Sequence, residues 1–532
     1  MPLETPARIA SALAERGFNA DRTAITLLAD ATDPEAAILR AVETVPSGTT
    51  KITTDHVERV LDSSQTATES DGRPRPGDPP SSGSTGATES DPSVSTASGE
   101  NSTGQGASTA RPGATPTSPS TQSESSVEIT GDITGDSTGS GEYADFLSVF
   151  RDRYERLSKQ LRGRVTHRPT DALDAMPGGS DGALVGMVAE IDSTRGGHWR
   201  IELEDTNGTY PILVLKDRDI ASAVEELLTD EVIAVEGTIS DDGEIMFADA
   251  IHFPDVPRTF SPSTADREVS AALVSDLHVG SQEFAAKAWE RFADWLHTDE
   301  ADHVEYLLIG GDAVEGIGVY PDQDEELSIV DVYDQYERFA ELLKRVPGDI
   351  EVVLIPGNHD AVRLAEPQPA FRDELLDIFD ATDPRIVGNP ARVTVEGVSI
   401  LMYHGVSLDE IIAELPDERA NYDEPQKAMA QLLRKRHLAP QFGGHTRIAP
   451  EERDYMVIDE VPDVFHTGHV HKLGYGSYHG VLTINSACWQ HQTSFQESVN
   501  IDPEVGYAPI VRLDRLDATD VGEYLTIRTF SD

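Results

Sequence analysis

The sequence contains very little cysteine and very few long apolar runs. Cys488 is the single cysteine among 532 residues, which excludes an intrachain disulfide and a zinc site built from thiolates. No apolar run approaches the roughly 20 residues of a membrane helix, and the amino terminus lacks the basic and then apolar pattern of a signal peptide. These absences predict a soluble, cytoplasmic protein. Cys488 follows Ser486 in a predicted core strand and is expected to be a small buried side chain.

Basic residues are scarce as well, and lysine most of all. The chain has 95 acidic and 42 basic residues, of which 8 are lysine, and its formal net charge is −53. A disordered acidic protein would also carry such a charge, but 38% of the residues are apolar and the second half has regular strand and helix patterns. Acidic surfaces that stay hydrated in concentrated salt are typical of proteins from extreme halophiles. In molar salt the Debye length is about 3 Å, so the acidity does not exclude DNA as a substrate.

The first part of the chain divides into a helical segment and a linker. In residues 1–62, apolar residues recur at helical spacing from Ile9 to Val60, which predicts a small helical docking domain. Residues 63–141 consist largely of serine, threonine, glycine, proline and acidic residues. Such a segment cannot bury enough surface to offset its ordering entropy, so it predicts a disordered linker.

Two further segments precede the second half. Residues 142–165 place basic residues between apolar residues at helical spacing, which predicts a helical connector over 142–181 whose basic side chains face solvent or contact DNA. From 182 to 262 several short strands and one late helix predict a five-stranded OB-fold β-barrel. Trp199 and Tyr210 are its predicted exposed aromatic residues, which is few for stacking on bases, so docking on a protein is an alternative function.

Residues 267–532 alternate apolar strands with helices, which predicts an α/β layered domain. Five of its strand-like runs end in side chains that bind metals. Ligands of open α/β sheets bind at the carboxyl ends of the strands, and residues two apart on an extended strand point to one side. We therefore expect these side chains to meet. They are Asp276 and His278, Asp312, the turn Gly357-Asn358-His359-Asp360, His404, and His469 with His471.

This order of motifs, D-x-H, G-D, G-N-H-D, H and G-H-x-H, resembles the calcineurin-like metallophosphoesterase superfamily over about residues 267–500. The resemblance implies an α/β layered phosphoesterase domain that holds two divalent metal ions. One ion would be bound by Asp276, His278, Asp312 and His471, and the other by Asp312, Asn358, His404 and His469. It also implies that His359 contacts the phosphate and acts as a general acid, while Asp360 orients its imidazole.

The implied ligand set has a clear chemistry. Carboxylate, amide and imidazole ligands without thiolates suit Mn²⁺, Fe or Zn²⁺, and family members that act on DNA commonly use Mn²⁺. Two ions about 3.5–4 Å apart activate water and hold a phosphate for in-line attack. The resemblance thus predicts a phosphodiester hydrolase.

Segments between the motifs make the resemblance more specific, because they are similar to one family in particular. Together with the predicted barrel, they are similar to the small subunit of the archaeal D-family DNA polymerase over residues 142–532. The segments are 316–321, 331–336, 361–369, 443–450 and 485–493. This resemblance implies a proofreading 3′–5′ exonuclease that acts on DNA and binds a separate large catalytic subunit. The alternatives are a non-catalytic scaffold subunit and a phosphodiesterase for small substrates. The sequence assigns no DNA-binding residue.

Three other features lie near these motifs. The basic run Arg434-Lys435-Arg436 predicts a solvated helix end or a contact with the DNA backbone. The acidic run from Asp322 to Glu326 predicts a solvated loop or a lid. His445 and His479 have no assigned ligand role and are expected to be structural.

Overall fold

The strand and helix patterns of the sequence produce a small helical domain, a barrel and two large sheets. The computed structural model describes residues 5–68, 127–137 and 139–531. Most of the predicted linker, residues 69–126, lies outside these ranges. No helix within the described ranges is long and apolar enough to cross a membrane.

The amino-terminal residues form four helices and a two-stranded parallel ribbon around a core that includes Ile9, Leu13 and Ile25. Their bounds are α1 Pro6–Ala14, β1 Asn19–Ala20, α2 Arg22–Ala29, α3 Pro34–Thr44, β2 Lys51–Ile52 and α4 Thr54–Thr68. The last helix therefore continues past the predicted boundary at residue 62.

This helical domain docks on the large domain of the same chain. The side-chain amide of Asn19 donates hydrogen bonds to the carbonyl oxygens of Lys344 and Val346, at 3.1 and 2.9 Å. Nε of Arg22 donates to the carbonyl oxygen of Leu296 at 3.1 Å. Side chains that satisfy carbonyl groups near helix ends give such a contact a defined geometry.

Near the carboxyl end of the predicted disordered linker the chain forms a strand. Strand β3, Val127–Ile129, pairs antiparallel with residues 393–395 of the second large sheet. The backbone amide of Ala370 donates to the Thr134 hydroxyl at 3.0 Å, which holds the following turn. The linker prediction is wrong here because the short apolar alternation of Val127 and Ile129 lies at the edge of a long polar segment. By pairing there, β3 covers an otherwise open sheet edge.

The next elements are a long helix and the predicted five-stranded barrel. Their bounds are α5 Tyr143–Arg162, α6 Thr170–Asp174, β4 Asp181–Ser193, β5 Trp199–Glu204, β6 Thr209–Val214, α7 Ala221–Val224, β7 Val232–Ile239 and β8 Met246–His252. The barrel closes in the order β4-β5-β6-β8-β7. Tyr210 is not exposed as predicted: it points inward with Ile212 and Val214, and its hydroxyl donates to the carbonyl oxygen of Gly243 at 2.8 Å.

Two basic stretches that were expected to face solvent or DNA are buried in part between domains. In the first stretch Arg151, Lys159, Arg162 and Arg164 are exposed, in agreement with a solvated face, but Arg153 is not. Nε of Arg153 on α5 donates to Asp454 at 2.7 Å, and both side chains are 1% exposed. Nζ of Lys435 lies 3.0 Å from Oε2 of Glu231, which follows the barrel helix α7. Arg436 is buried too. The expectation was wrong for Arg153 and Lys435 because their partner carboxylates are about 200 or more residues away in sequence.

The remaining residues build two six-stranded sheets with helices outside them. Their bounds are β9 Ser270–Val274, α8 Ala286–Trp295, β10 Val304–Ile309, α9 Val332–Leu343, β11 Glu351–Leu354, α10 Asp373–Leu376, β12 Arg385–Ile386, β13 Ala391–Val395, β14 Val398–Met402, α11 Ser407–Glu414, α12 Pro425–Lys435, β15 Val464–Thr467, β16 Leu473–Tyr478, β17 Val481–Ser486, α13 Ser494–Ser498, β18 Tyr507–Arg512 and β19 Leu525–Thr529. The sheet orders are β12-β11-β10-β9-β18-β19 and β16-β17-β15-β14-β13-β3.

Successive side chains of each strand point to opposite faces of the sheet, which gives two separate hydrophobic cores. Leu273 points into the core between the two sheets, whereas its neighbour Val274 packs on the side covered by Trp289 of α8 and Phe339 of α9. Each fully buried side chain of this size contributes roughly 1.5–3 kcal/mol. Strands β9, β10 and β11 run parallel, as do β14, β15 and β17. Their carboxyl ends meet at one edge of the domain.

Candidate metal centre

The loops that follow five parallel strands bring the predicted ligands together, and five of them line one cavity of about 250 Å³: His278, Asp312, Asn358, His469 and His471. Asp276 follows β9, Asp312 follows β10, His404 follows β14, and His469 and His471 follow β15. The turn Asn358-His359 follows β11. Asp276, Asp312 and His404 are buried, so their polar atoms are shielded from bulk water.

Asp276, His278 and His471 form one group of potential ligands. Nε2 of His278 lies 3.0 Å from Nε2 of His471, and Nε2 of His471 lies 3.4 Å from Oδ1 of Asp276. Oδ2 of Asp312 is 3.8 Å from Nε2 of His278. The four side chains predicted for one ion therefore converge.

Asp312, His404 and His469 form a second group. Nε2 of His404 lies 3.2 Å from Oδ2 of Asp312 and 3.0 Å from Oδ1 of Asn358. Asp312 thus lies between the two groups, as expected for a shared ligand. A third group joins His278, Asp312 and His359, so the imidazole of His359 lies at the same cavity without being a predicted ligand.

The charges of the site suit a cation. Burial raises the pKa of Asp312, but His404 and His359 outweigh it and hold the pKa well below its usual range. Burial lowers the pKa of His404, but Asp312 raises it to about 10. Protons on imidazoles therefore balance the buried carboxylates here. Metal binding displaces such protons, and the donor set fits a divalent ion.

The backbone at the ligands is strained. Five ligand residues adopt the left-handed conformation that favours glycine. Their φ values are +54° at Asp276, +54° at His278, +50° at Asp312, +71° at His469 and +55° at His471. Such residues cost on the order of 1–3 kcal/mol each and cluster at functional sites. The fold holds these side chains in place at a cost to stability.

Two glycines of the motifs allow the close packing of the loops. A Cβ on Gly357 would overlap Oδ1 of Asp312, and one on Gly468 would overlap Oδ2 of Asp276. Larger residues at either position would displace a carboxylate of the centre. The glycines in the G-N-H-D and G-H-x-H motifs are therefore steric requirements.

The second nitrogen of each imidazole ligand has its own neighbour. Nδ1 of His404 donates to the carbonyl oxygen of Gly310 at 2.9 Å. Nε2 of His469 lies 3.1 Å from Asp409 on α11, and Nδ1 of His471 lies 3.1 Å from the amide of Gln496 on α13. Such contacts fix ring orientation. Sequence reasoning missed Asp409 and Gln496, since neither follows a strand.

Glu315 was missed as well, although it lies three residues after Asp312. It is 1% exposed, and its Oε2 lies 2.9 Å from Nδ1 of His278. Its carboxylate also accepts from the amides of Gln490 and Gln323, at 2.7 and 2.9 Å. Burial raises the pKa of Glu315, but His278 and the other donors lower it to about 2. Glu315 is therefore an ionised side chain that orients His278.

The predicted contact between Asp360 and His359 is not formed. Nδ1 of His359 donates instead to the carbonyl oxygen of Glu315 at 2.8 Å. Asp360 accepts from the backbone amide of Gly357 at 2.8 Å and from the Tyr336 hydroxyl at 3.0 Å. The prediction failed because the carboxylate turns back onto its own loop. Asp360 holds the turn and does not orient the imidazole.

The structure also gives the positions of the two unassigned histidines, the acidic run and the cysteine. His445 and His479 are exposed and belong to none of the ligand groups among the described residues. The acidic run contains a short 3₁₀-helix, Gln323–Glu326, in which Gln323 is buried against Glu315. Cys488 is buried as expected, although strand β17 ends before it.

Known proteins are similar to this chain over most of its length. A DNA polymerase II small subunit from Halobacterium salinarum is 62% identical over 519 residues, which cover 98% of this chain and 99% of that protein. The corresponding protein of Archaeoglobus fulgidus is 44% identical and covers 73% of this chain and 78% of its own length. That of Pyrococcus furiosus is 37% identical, with 71% and 63% covered.

A family comparison agrees with these relatives. The family of DNA polymerase alpha/epsilon B-subunits matches residues 271–473, which include all the potential ligands described above. The polymerase small-subunit family, predicted from the segments between the motifs, is thereby confirmed. The chain belongs to the DNA polymerase II small subunit family.

Proposed function

We propose that this chain is the proofreading 3′–5′ exonuclease subunit of a two-subunit archaeal replicative DNA polymerase. It would bind a large catalytic subunit and hydrolyse phosphodiester bonds at DNA 3′ ends. The names of its relatives support the assignment to a polymerase. The observation that supports hydrolysis is that all seven expected ligand side chains lie together, five of them at one cavity and the other two in contact with those five. They are Asp276, His278, Asp312, Asn358, His404, His469 and His471.

We assign the two-sheet domain to the calcineurin-like phosphoesterase fold and the barrel to the OB fold. The loops after parallel strands β9, β10, β11, β14 and β15 carry the ligands, which supports the first assignment. A closed barrel of five strands supports the second. The barrel would then contribute to subunit contacts or to guiding DNA.

Two divalent ions, which we propose to be Mn²⁺, would supply Lewis-acid activation of water and neutralise phosphate charge. Asp312 would contact both ions, because its Oδ2 lies 3.8 Å from Nε2 of His278 in one ligand group and 3.2 Å from Nε2 of His404 in the other. His359 is held through Nδ1, so its Nε2 is the atom free to donate a proton to the leaving oxygen as general acid. Asp360 would act as a positioning residue through the turn at Gly357.

A scaffold subunit without activity is the alternative. A scaffold would need neither a complete ligand set nor five left-handed ligand residues, whose cost only a working site would justify. These features favour an enzyme. A phosphodiesterase for small substrates would share the same centre, but its relatives would not be named polymerase subunits.

The test follows a single DNA strand labelled at its 5′ end, in high salt with Mn²⁺, with and without the large subunit. The wild-type chain should give a ladder of shortened products, and His359→Ala should abolish it while still binding the large subunit. His479→Ala, at an exposed histidine outside the ligand groups, is the matched control. If the wild-type chain gives no ladder in either preparation, the scaffold function is correct.

A further inference from the structure

Two aromatic rings border the cavity beside His359, and the proposed chemistry uses neither. The rings of Tyr320 and Phe495 stack with centroids 4.7 Å apart and planes inclined by 20°. The Tyr320 ring centroid is 6.3 Å from that of His359. Both residues line the cavity together with five of the ligand side chains. We call Tyr320 and Phe495 the aromatic pair.

The aromatic pair is fixed relative to the centre. The Tyr320 hydroxyl lies 3.0 Å from Oε1 of Glu315 and 2.9 Å from Oε2 of Glu326. Phe495 lies on α13, next to Gln496, whose amide contacts His471. One face of the Phe495 ring packs on Tyr320, yet 40% of the residue remains exposed. A rigid ring with free surface thus stands beside the cavity.

The surface beyond the aromatic pair is acidic. A groove there is lined by Tyr320 and Phe495 and by the carboxylates of Glu283, Asp322 and Glu325. Carboxylates repel phosphate but do not repel an uncharged planar base. Even in molar salt, where the Debye length is about 3 Å, a phosphate in direct contact would be disfavoured. The group that fits against Phe495 is therefore a base and not the strand backbone.

We propose that Phe495, supported by Tyr320, stacks on a nucleobase that flanks the scissile phosphate and so determines specificity for nucleic acid. This inference rests on the proposed function, because a bound strand would bring a base to the aromatic pair only when its phosphate lies at the ligands. Stacking on an aromatic ring tolerates every base. A base stacked on Phe495 has left the duplex stack, so the contact favours unpaired ends.

The test compares oligonucleotides that carry an abasic residue at the last or at the second-last position with the unmodified strand. For the wild-type chain, in the preparation that hydrolyses DNA, one of these two abasic residues should reduce kcat/KM on the order of tenfold, the size expected for one base stacked on a ring. Phe495→Ala should hydrolyse abasic and unmodified strands equally well. Phe495→Tyr should restore the difference.

Tyr475→Ala is the matched control, because Tyr475 is 46% exposed but does not line the cavity. A second readout needs no hydrolysis: anisotropy of a labelled oligonucleotide should show weaker binding by Phe495→Ala than by the wild-type chain. Hydrolysis without discrimination at either position, or discrimination that survives in Phe495→Ala, would overturn the inference and leave the proposed function intact. Absence of hydrolysis in all preparations would overturn the proposed function, and equal anisotropy would then overturn the inference too.

Discussion

Nε2 of His278 lies 3.0 Å from Nε2 of His471, and both rings are buried. A pair of imidazole nitrogens can form one hydrogen bond at most, and only when one of them is protonated. Oδ1 of Asp276 lies 3.9 Å from the first nitrogen and 3.4 Å from the second. A shared cation would satisfy all three atoms at once. A divalent cation at these atoms should therefore stabilise the folded chain.

Mn²⁺ should stabilise the folded chain if the proposed centre binds it, because the unfolded chain lacks such a site. The gain is about 2.7 kcal/mol for one site at a hundredfold excess of Mn²⁺ over Kd. Scanning calorimetry in high salt should show a higher Tm with Mn²⁺ than with a chelator. His471→Ala should reduce the difference, whereas His479→Ala should retain it. An unchanged wild-type Tm at millimolar Mn²⁺ would argue against a metal centre.

Glu315→Gln should weaken Mn²⁺ binding with little loss of fold. The substitution keeps the size of the side chain but removes the negative charge 2.9 Å from Nδ1 of His278. Losses of such supporting groups reduce metal affinity about 10- to 100-fold. Calorimetric titration with Mn²⁺ measures the change. The exposed Glu325→Gln serves as control, and equal affinities for both variants would refute the positioning role of Glu315.

The buried pair of Lys435 and Glu231 should couple the barrel to the large domain. Lys435→Met leaves the Glu231 carboxylate buried without its cation and should cost about 3–5 kcal/mol of the free energy of unfolding. Adding Glu231→Gln removes the unpaired buried charge, so the double variant should recover much of the lost free energy of unfolding. Denaturant unfolding of both single variants and the double variant measures the coupling. Additive losses would show that the pair does not act as a unit.

His437 should make stability depend on pH. Burial, followed by the charge of Arg153, lowers the pKa of His437 to about 4 from an ordinary value of 6.5. Between these values the unfolded chain binds a proton that the folded chain does not, so the free energy of unfolding falls as the pH is lowered. The slope from this residue is at most about 1.4 kcal/mol per pH unit.

Unfolding measurements between pH 6.5 and 4.5 check this dependence. Replacement by a residue that does not titrate, His437→Gln, should give a shallower slope than the wild-type chain, even though its stability at pH 7 is lower. The exposed His479→Ala should leave the slope unchanged. A slope in His437→Gln as steep as in the wild-type chain would assign the pH dependence to other groups.

The potential ligands could be predicted from sequence because each follows an apolar strand. Asp276, Asp312 and His404 occupy the carboxyl ends of strands, where parallel sheets bring distant residues together. Glu315, Asp409 and Gln496 lie in a loop or on helices, and no periodic pattern marks them. Their function depends on the tertiary position of a ring nitrogen, which local sequence does not encode.

The solvent exposure of individual side chains was harder to predict from the sequence than the positions of helices and strands. Lys435 and Arg153 were expected at the surface because their charge is costly to bury, but carboxylates distant in sequence neutralise them. Tyr210 was predicted exposed although it shares strand parity with Ile212, which points into the barrel. The alternation of side chains along the strand would have predicted that Tyr210 is buried. The buried ion pairs required knowledge of how the domains pack.

The most direct test of the central claim is the rate of 3′-nucleotide release while Mn²⁺ is titrated into the metal-free chain bound to its large subunit. Asp312 lies between the two ligand groups, with Oδ2 3.8 Å from Nε2 of His278 and 3.2 Å from Nε2 of His404. Hydrolysis should therefore rise from zero with Mn²⁺ in the wild-type chain and stay at background in Asp312→Ala. The exposed Asp423→Ala should behave like the wild-type chain. Release that is independent of Mn²⁺, or equal in Asp312→Ala, would contradict a hydrolytic metal centre in this chain.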